Sequence, residues 1–269
     1  MDLKTQQSIT KMIQLQSSNQ KVSIDQGELV GYKVNAHECI HQKGSPGWRS
    51  ADTEMFPIIG PVNEAGFRVQ VPRATAIQDQ HGLLRELDYV LVSQTETTAV
   101  FQKDYKAGTP IINSKFPGNS DKQRLVWPYS FSFEKSFELT ENGLEIGFVV
   151  SGEKEMPFML GYHPAFKLHV GDPVIVTDQK EITLDEVLAV GGRAFQVADC
   201  SKITLKDKKD ISIATEGFGH FMLWTEVRNM VCIEPISFYP YAVEQRDLHT
   251  GFQYLNGDAR FKVLLTVNG

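Results

Sequence analysis

The sequence is poor in the features that mark several large protein classes. It has three cysteines, Cys39, Cys200 and Cys232, an odd count at unrelated spacings. Neither a full disulfide framework nor a CxxC zinc site can be built from them, so they are expected as buried thiols. Basic charge is also short, with 27 Lys+Arg against 33 Asp+Glu and a net charge of −6. Without a basic excess to neutralise phosphates, nucleic acid is not an expected partner. No apolar run approaches the roughly 18 residues of a membrane helix, which leaves no membrane partner expected. The first eight residues carry no apolar signal-peptide core, so a cytoplasmic location is expected. P-loops and Gly-x-Ser-x-Gly elbows are missing, and Gly217-Phe-Gly219 lacks the third glycine of a dinucleotide loop.

Helical periodicity is scarce as well. Residues 184–190 could hold one short turn, but no sustained 3.6-residue period with caps appears. Alternation at every second position is what fills the chain instead. In the clearest run, Phe131, Phe133, Phe137 and Leu139 are followed by Glu141-Asn142-Gly143 and then by Leu144, Ile146 and Phe148. This predicts a hairpin with a type I′ turn at Asn-Gly, whose positive φ angles match the twist of the strands. Similar pairs are residues 12–15 with 22–24, 31–35 with 37–41, and 89–92 with 99–102, and further alternation appears at 203–205, 211–213, 221–227, 231–234 and 261–267. Many short antiparallel strands with no linker, repeat or low-complexity segment predict one all-β domain over 1–269, a sandwich larger than usual.

Four places hold polar residues that packing alone would not put there. His37-Glu38-Cys39-Ile40-His41 fits H-E-x-x-H, but that zinc chemistry needs a helix to bring the i and i+4 imidazoles to one face. Here the pattern lies in strand context just before Gly44-Ser-Pro-Gly47, which speaks against a zinc peptidase. The others are Gln80-His81-Gly82-Leu-Leu-Arg85, Gly161-Tyr162-His163-Pro164-Ala-Phe166 and Cys232-Ile-Glu234-Pro235. Each alone has an ordinary reading. His81 could be a turn residue and His163 a hydrogen-bonded structural histidine. Glu234, stopped by Pro235, would emerge where a sheet ends. Spacing does not show that the three meet.

Read together, the three motifs resemble those of the aldose 1-epimerase (galactose mutarotase-like) family, especially its bacterial branch near the hexose-6-phosphate epimerases. The opening strand pair with residues 27–30 and Glu38 adds to the likeness, as does Trp48-Arg49 through Phe56-Pro57-Ile-Ile-Gly60. The resemblance implies a galactose mutarotase-like β-super-sandwich of mostly antiparallel strands whose concave face binds a small sugar, an aldohexose or a hexose phosphate. It implies Glu234 as general base, His163 as general acid and His81 as the second histidine near the ring oxygen, with no metal or organic cofactor. Glu234 is then expected to be ionised, as an ordinary carboxylate is, and His163 protonated. Arg49 and Arg85 match arginines of the branch and suit sugar hydroxyls or a phosphate. Trp48, Phe56, Tyr162 and Trp224 are the candidate aromatic walls. The chain departs from the branch at Pro61-Val62, where an arginine is usual, and at Ile236-Ser237, where a tryptophan is. A non-catalytic carbohydrate-binding protein of the same fold is the reading from another class. A glycosidase fits less well because only one carboxylate lies in a convincing motif.

Overall fold

The structure is a computed structural model that describes residues 12–268. The N-terminal segment that suggested a cytoplasmic chain lies outside them. The strand Phe131–Thr140 alternates inward and outward residues along its length, as its two-residue period requires. It pairs residue for residue with Gly143–Gly152. These two sit near the middle of a nine-stranded antiparallel sheet. Its order is Glu181–Thr183, Val174–Val176, Lys202–Lys206, Asp210–Glu216, Ala259–Asn268, Gly143–Gly152, Phe131–Thr140, Thr98–Tyr105 and Val90–Gln94.

A six-stranded sheet packs against it. Phe195–Val197, His220–Trp224, Met230–Ile236, Gly161–His163 and Thr53–Met55 follow in that order, and Ala165–Lys167 also pairs with Met230–Ile236. Rings join the two layers. Phe148 of the large sheet lies 5.1 Å from Tyr162 of the smaller one, and Phe56 meets Phe131 and Phe133 at 4.9 and 5.6 Å. One contiguous apolar cluster runs from Leu15 to Leu265 through both sheets and the small N-terminal one. Each fully buried phenylalanine in it contributes about 1.5–3 kcal/mol of burial free energy. Cys39, Cys200 and Cys232 are free and buried, as expected.

Three local expectations are corrected. The hairpin loop is Glu141-Asn142, because Thr140 pairs with Gly143, and neither loop residue has a positive φ. A type I′ turn is therefore absent there. Paired positive angles occur instead at Asn35 (53°) and Ala36 (43°), the loop between Glu28–Val34 and His37–Glu38. Residues 184–190 form a true helix, Leu184–Val190, with a capping box between Thr183 and Glu186, a Thr-x-x-Glu signal present in the sequence. Glu234 is not at a sheet end. The strand Met230–Ile236 runs through Pro235, with neighbours on both sides.

The inward position that broke the Phe131, Phe133, Phe137 alternation is Lys135, which is fully buried. Its Nζ lies 2.7 Å from Asp52 Oδ2 and 2.5 Å from Glu54 Oε1. A cation on the large sheet thus bridges to two carboxylates at the edge of the smaller one.

Candidate active site

Register on the six-stranded sheet brings the two distant motifs together. Gly161 pairs with Ile236 and Ala165 with Cys232, so antiparallel counting places His163 opposite Glu234. Residues directly opposite on adjacent strands share a face, with Cβ atoms about 5 Å apart. His163 Nε2 stands 3.4 Å from Glu234 Oε1. The row continues outward on both sides, because His163 also pairs with Thr53 and Glu234 with Met222. Thr53, His163, Glu234 and Met222 all line one cavity of about 320 Å³, near the lower end of the ~300–1,000 Å³ usual for small-molecule sites.

Alternation explains which aromatic residues reach it. His163 faces the cavity, so its strand neighbour Tyr162 turns to the opposite face, where its hydroxyl donates to Asp52 Oδ2 at 2.7 Å. Tyr162 and Phe56 are fully buried and do not line the cavity. The expectation that they wall a sugar gives way to a core role. Trp48 and Trp224 do line it, with ring centroids 5.3 and 6.2 Å from that of His163. His163 Nδ1 is buried without a hydrogen-bond partner, so these rings and that of His81, 5.4 Å away, hold the imidazole by packing.

The loop carrying His81 is built on Asp79. Its carboxylate accepts from the Gln80 backbone N–H at 2.7 Å, from Asn113 Nδ2 at 2.9 Å and from Lys115 Nζ at 3.2 Å, and Lys115 also donates to the Gln80 carbonyl. His81 and Gly82 both take left-handed backbone, φ 75° and 69°, a conformation that side chains other than glycine adopt at a cost. A Cβ on Gly82 would meet the Phe56 carbonyl oxygen at 2.1 Å. Arg85 follows one turn later, and its guanidinium lies 3.3 Å from His81 Nδ1. Because arginine can only donate, Nδ1 must accept, which leaves Nε2–H as the ring's donor. Burial, His163 and Arg85 push the His81 pKa well down, so the ring is neutral.

Burial also pushes Glu234 well above the carboxylate range and lowers His163 to about 3, with Arg85 adding to the effect. This corrects the expectation of an ordinary ionised carboxylate beside an imidazolium. Both shifts favour a carboxylic acid beside a neutral imidazole over the ion pair, and a single proton shift between Oε1 and Nε2 interconverts the two with the same proton count. Cys232 belongs to the same neighbourhood, its Sγ within 4.8 Å of the ligand atoms of both residues. Burial and Glu234 raise its thiol pKa well up, which makes it a poor thiolate ligand for a metal.

Arg85 lines the cavity, whereas Arg49 is exposed in an adjoining groove that shares Trp48, Ser50, Trp224 and Glu226 with it. Sequence reasoning missed Gln80, Ser50, Glu226, Gly192, Ala194 and Tyr241 on the wall. Of these, Tyr241 is placed by a bond from its hydroxyl to the Gly192 carbonyl, 3.2 Å. The Gly191-Gly192 pair after the helix was the available sign of a turn, but not of what the turn faces. The H-E-x-x-H residues do not converge. His37 packs against His169 with tilted rings, centroids 4.2 Å apart, Glu38 accepts from the backbone N–H groups of Tyr32 and Ile40, and His41 Nε2 lies 3.1 Å from the Pro46 carbonyl.

Comparison with known proteins agrees with this architecture. The aldose 1-epimerase family model matches residues 55–240. A galactose mutarotase-like protein from Lactobacillus casei superimposes with a TM-score of 0.78 at 19% identity, over 96% of this chain and 100% of that one. A galactose mutarotase related enzyme from Lactobacillus acidophilus gives 0.69 at 18% identity, over 95% and 97%. A galactose mutarotase-like protein from Clostridium acetobutylicum gives 0.68 at 12%, over 96% and 95%. At these identities the likeness is one of fold. No curated protein matched.

Proposed function

The chain belongs to the aldose 1-epimerase family, and from that premise we propose that it is a mutarotase that interconverts the α and β anomers of a free aldohexose. The observation that carries the proposal is the opposed pair His163 and Glu234, 3.4 Å apart on one face of the sheet and lining the same cavity. Opening a cyclic hemiacetal requires a base at the anomeric hydroxyl and an acid at the ring oxygen. Glu234 takes the proton from O1 as the C1–O5 bond breaks, and His163 gives one to O5. The aldehyde so formed turns about C1–C2. Closure on the other face returns the O5 proton to His163 and the Glu234 proton to O1, so protons balance over the cycle.

After opening, Glu234 is a carboxylic acid and His163 a neutral imidazole. That is the distribution burial favours, so the cavity stabilises the open-chain stage relative to the ion pair that starts it. His81, neutral with its proton on Nε2, donates a hydrogen bond without competing for the proton in transit. Trp48 and Trp224 offer apolar surface to the sugar's C–H face. Glu226 lines both the cavity and the groove that carries Arg49. A carboxylate at that position opposes the charge of a phosphoryl group, which favours a free sugar over a hexose phosphate.

The test is polarimetry on freshly dissolved α-D-galactose and α-D-glucose with the parent, Glu234→Gln and His163→Ala. Acceleration by the parent and losses of about 10²- to 10⁴-fold in each variant are expected. Absence of acceleration with both sugars, with binding retained, would favour a non-catalytic sugar-binding protein. Acceleration restricted to glucose 6-phosphate would move the substrate to the phosphorylated class.

A further inference from the structure

His37, left without a role once its H-E-x-x-H pattern proved to be strand and loop, stands beside two residues far away in sequence. It opens the strand His37–Glu38 of the N-terminal sheet. His169 follows the strand Ala165–Lys167, which pairs into the six-stranded sheet. Asp207 lies in the turn between Lys202–Lys206 and Asp210–Glu216 of the nine-stranded sheet. One ligand atom from each of the three lies within 4.8 Å of the others.

The surroundings of the three side chains are those of a prepared ligand set. His37 Nε2 is buried and has no hydrogen-bond partner, a desolvated polar atom that costs stability unless a donor or a metal ion engages it. His169 Nε2 is 2.8 Å from the Glu38 carbonyl oxygen. A carbonyl only accepts, so Nε2 carries the proton and Nδ1 keeps its lone pair, the outer-shell pattern that orients metal-binding histidines. Asp207 is fixed by the backbone N–H groups of His169, at 3.0 and 2.9 Å, and of Val170, at 2.8 Å. Its carboxylate oxygens retain further acceptor capacity.

We propose that His37, His169 and Asp207 bind one divalent transition-metal ion of the Zn²⁺ class, clipping the three sheets together at their junction. Two imidazole nitrogens and one carboxylate oxygen suit zinc, cobalt or nickel, and supply too few oxygens for calcium or magnesium. Three protein ligands leave a fourth position for water. Tetrahedral bonds of about 2.0–2.1 Å place ligand atoms ~3.3 Å apart, a contraction that small side-chain rotations supply. The site shares no residue with the His163, Cys232 and Glu234 group, so the ion is structural with respect to mutarotation.

The experiment uses untagged full-length protein stripped with chelator, titrated with Co²⁺ and followed by its visible d–d absorption, then by Zn²⁺ competition. One equivalent of Co²⁺ per chain is expected, displaced by Zn²⁺, with a rise in thermal midpoint on loading. His37→Ala, and His37→Gln as the less disruptive variant, should weaken binding at least tenfold and abolish the midpoint shift while mutarotation persists. Glu234→Gln should bind as the parent does. Failure of the parent to bind stoichiometrically overturns the proposal. So does binding that survives both His37 variants, or binding lost in Glu234→Gln, which would put the metal in the cavity.

Discussion

Lys135 Nζ stands 2.7 Å from Asp52 Oδ2 with both groups withdrawn from solvent, and this ion pair fixes the back of the six-stranded sheet that carries His163. Asp52 also accepts from the Tyr162 hydroxyl at 2.7 Å and from the Leu29 backbone N–H. Tyr162 is the neighbour of His163, and Glu54 pairs with it in register, so the charged cluster on one face sets the position of the histidine on the other. Burial pushes the Asp52 carboxyl up to about 7 although Lys135 pulls it down. Burial works against Glu54 too, yet Lys135 and Lys103 hold it below the usual carboxylate value.

Lys135→Met should therefore be costly. It leaves two carboxylates buried against each other without their cation, and removal of one partner from a buried pair typically costs about 3–5 kcal/mol. Urea denaturation would read this as a lower midpoint. Adding Asp52→Asn and Glu54→Gln to the same chain should recover much of the loss, because the cost lies in unpaired charge rather than in the missing bond. A Lys135→Met protein as stable as the parent would contradict this account.

Gly82→Ala tests the loop that carries His81. The new Cβ meets the Phe56 carbonyl oxygen at 2.1 Å, and the backbone φ is +69°. Steric conflict with main chain and left-handed strain add, so the loss should exceed ~1 kcal/mol. The His81 ring must shift as well, which should lower kcat more than a distant substitution of equal stability cost. A variant with parental kcat and midpoint would show that the loop yields without moving the histidine.

Much of the strand pattern was legible because alternation in the chain is alternation in space, as in Phe131–Thr140 and Gly143–Gly152. The pairing of His163 with Glu234 was not, because register between strands about 70 residues apart is set by tertiary contacts rather than by local periodicity. Only the family resemblance joined them. The same parity that puts His163 into the cavity removes Tyr162 from it, and a reading that took Tyr162 and Phe56 for walls overlooked that strand neighbours face opposite ways. Lys135 left a visible mark as a charge at an inward position, though nothing in the sequence named Asp52 and Glu54 as its partners. Turn chemistry misled at Asn142-Gly143, where the loop is one residue earlier than the Asn-Gly pair suggests.

Glu234→Gln should be inactive yet more stable than the parent at neutral pH. Burial raises the Glu234 pKa in the folded chain above its unfolded value. Below about pH 4.3 the carboxyl is protonated in both states and imposes no penalty. As pH rises the unfolded chain ionises first, so the parent loses stability until the folded pKa is passed, at about 1.4 kcal/mol for each unit of elevation. Glutamine does not ionise. The difference in thermal midpoint between variant and parent should grow from pH 4 to pH 8, whereas a constant difference would place no raised pKa at this position.

The pH profile of mutarotation follows from the shared proton. His163 gains a second proton for the pair only near its lowered pKa of about 3, and Glu234 releases the pair's last proton only above its raised one. Between those limits the site holds one proton whichever atom carries it, and the observed limbs belong to the pair rather than to either residue. An ordinary histidine acid would instead be lost as pH rises through ~6.5, and an ordinary carboxylate base as pH falls through ~4.3. The value of kcat/KM, corrected for uncatalysed rotation, should therefore persist as pH falls through ~4.3, and its acid limb should lie near the lowered value of about 3. Activity lost as pH falls through ~4.3 would mean that the carboxylate titrates as a solvated group, and that the pair does not titrate as a unit.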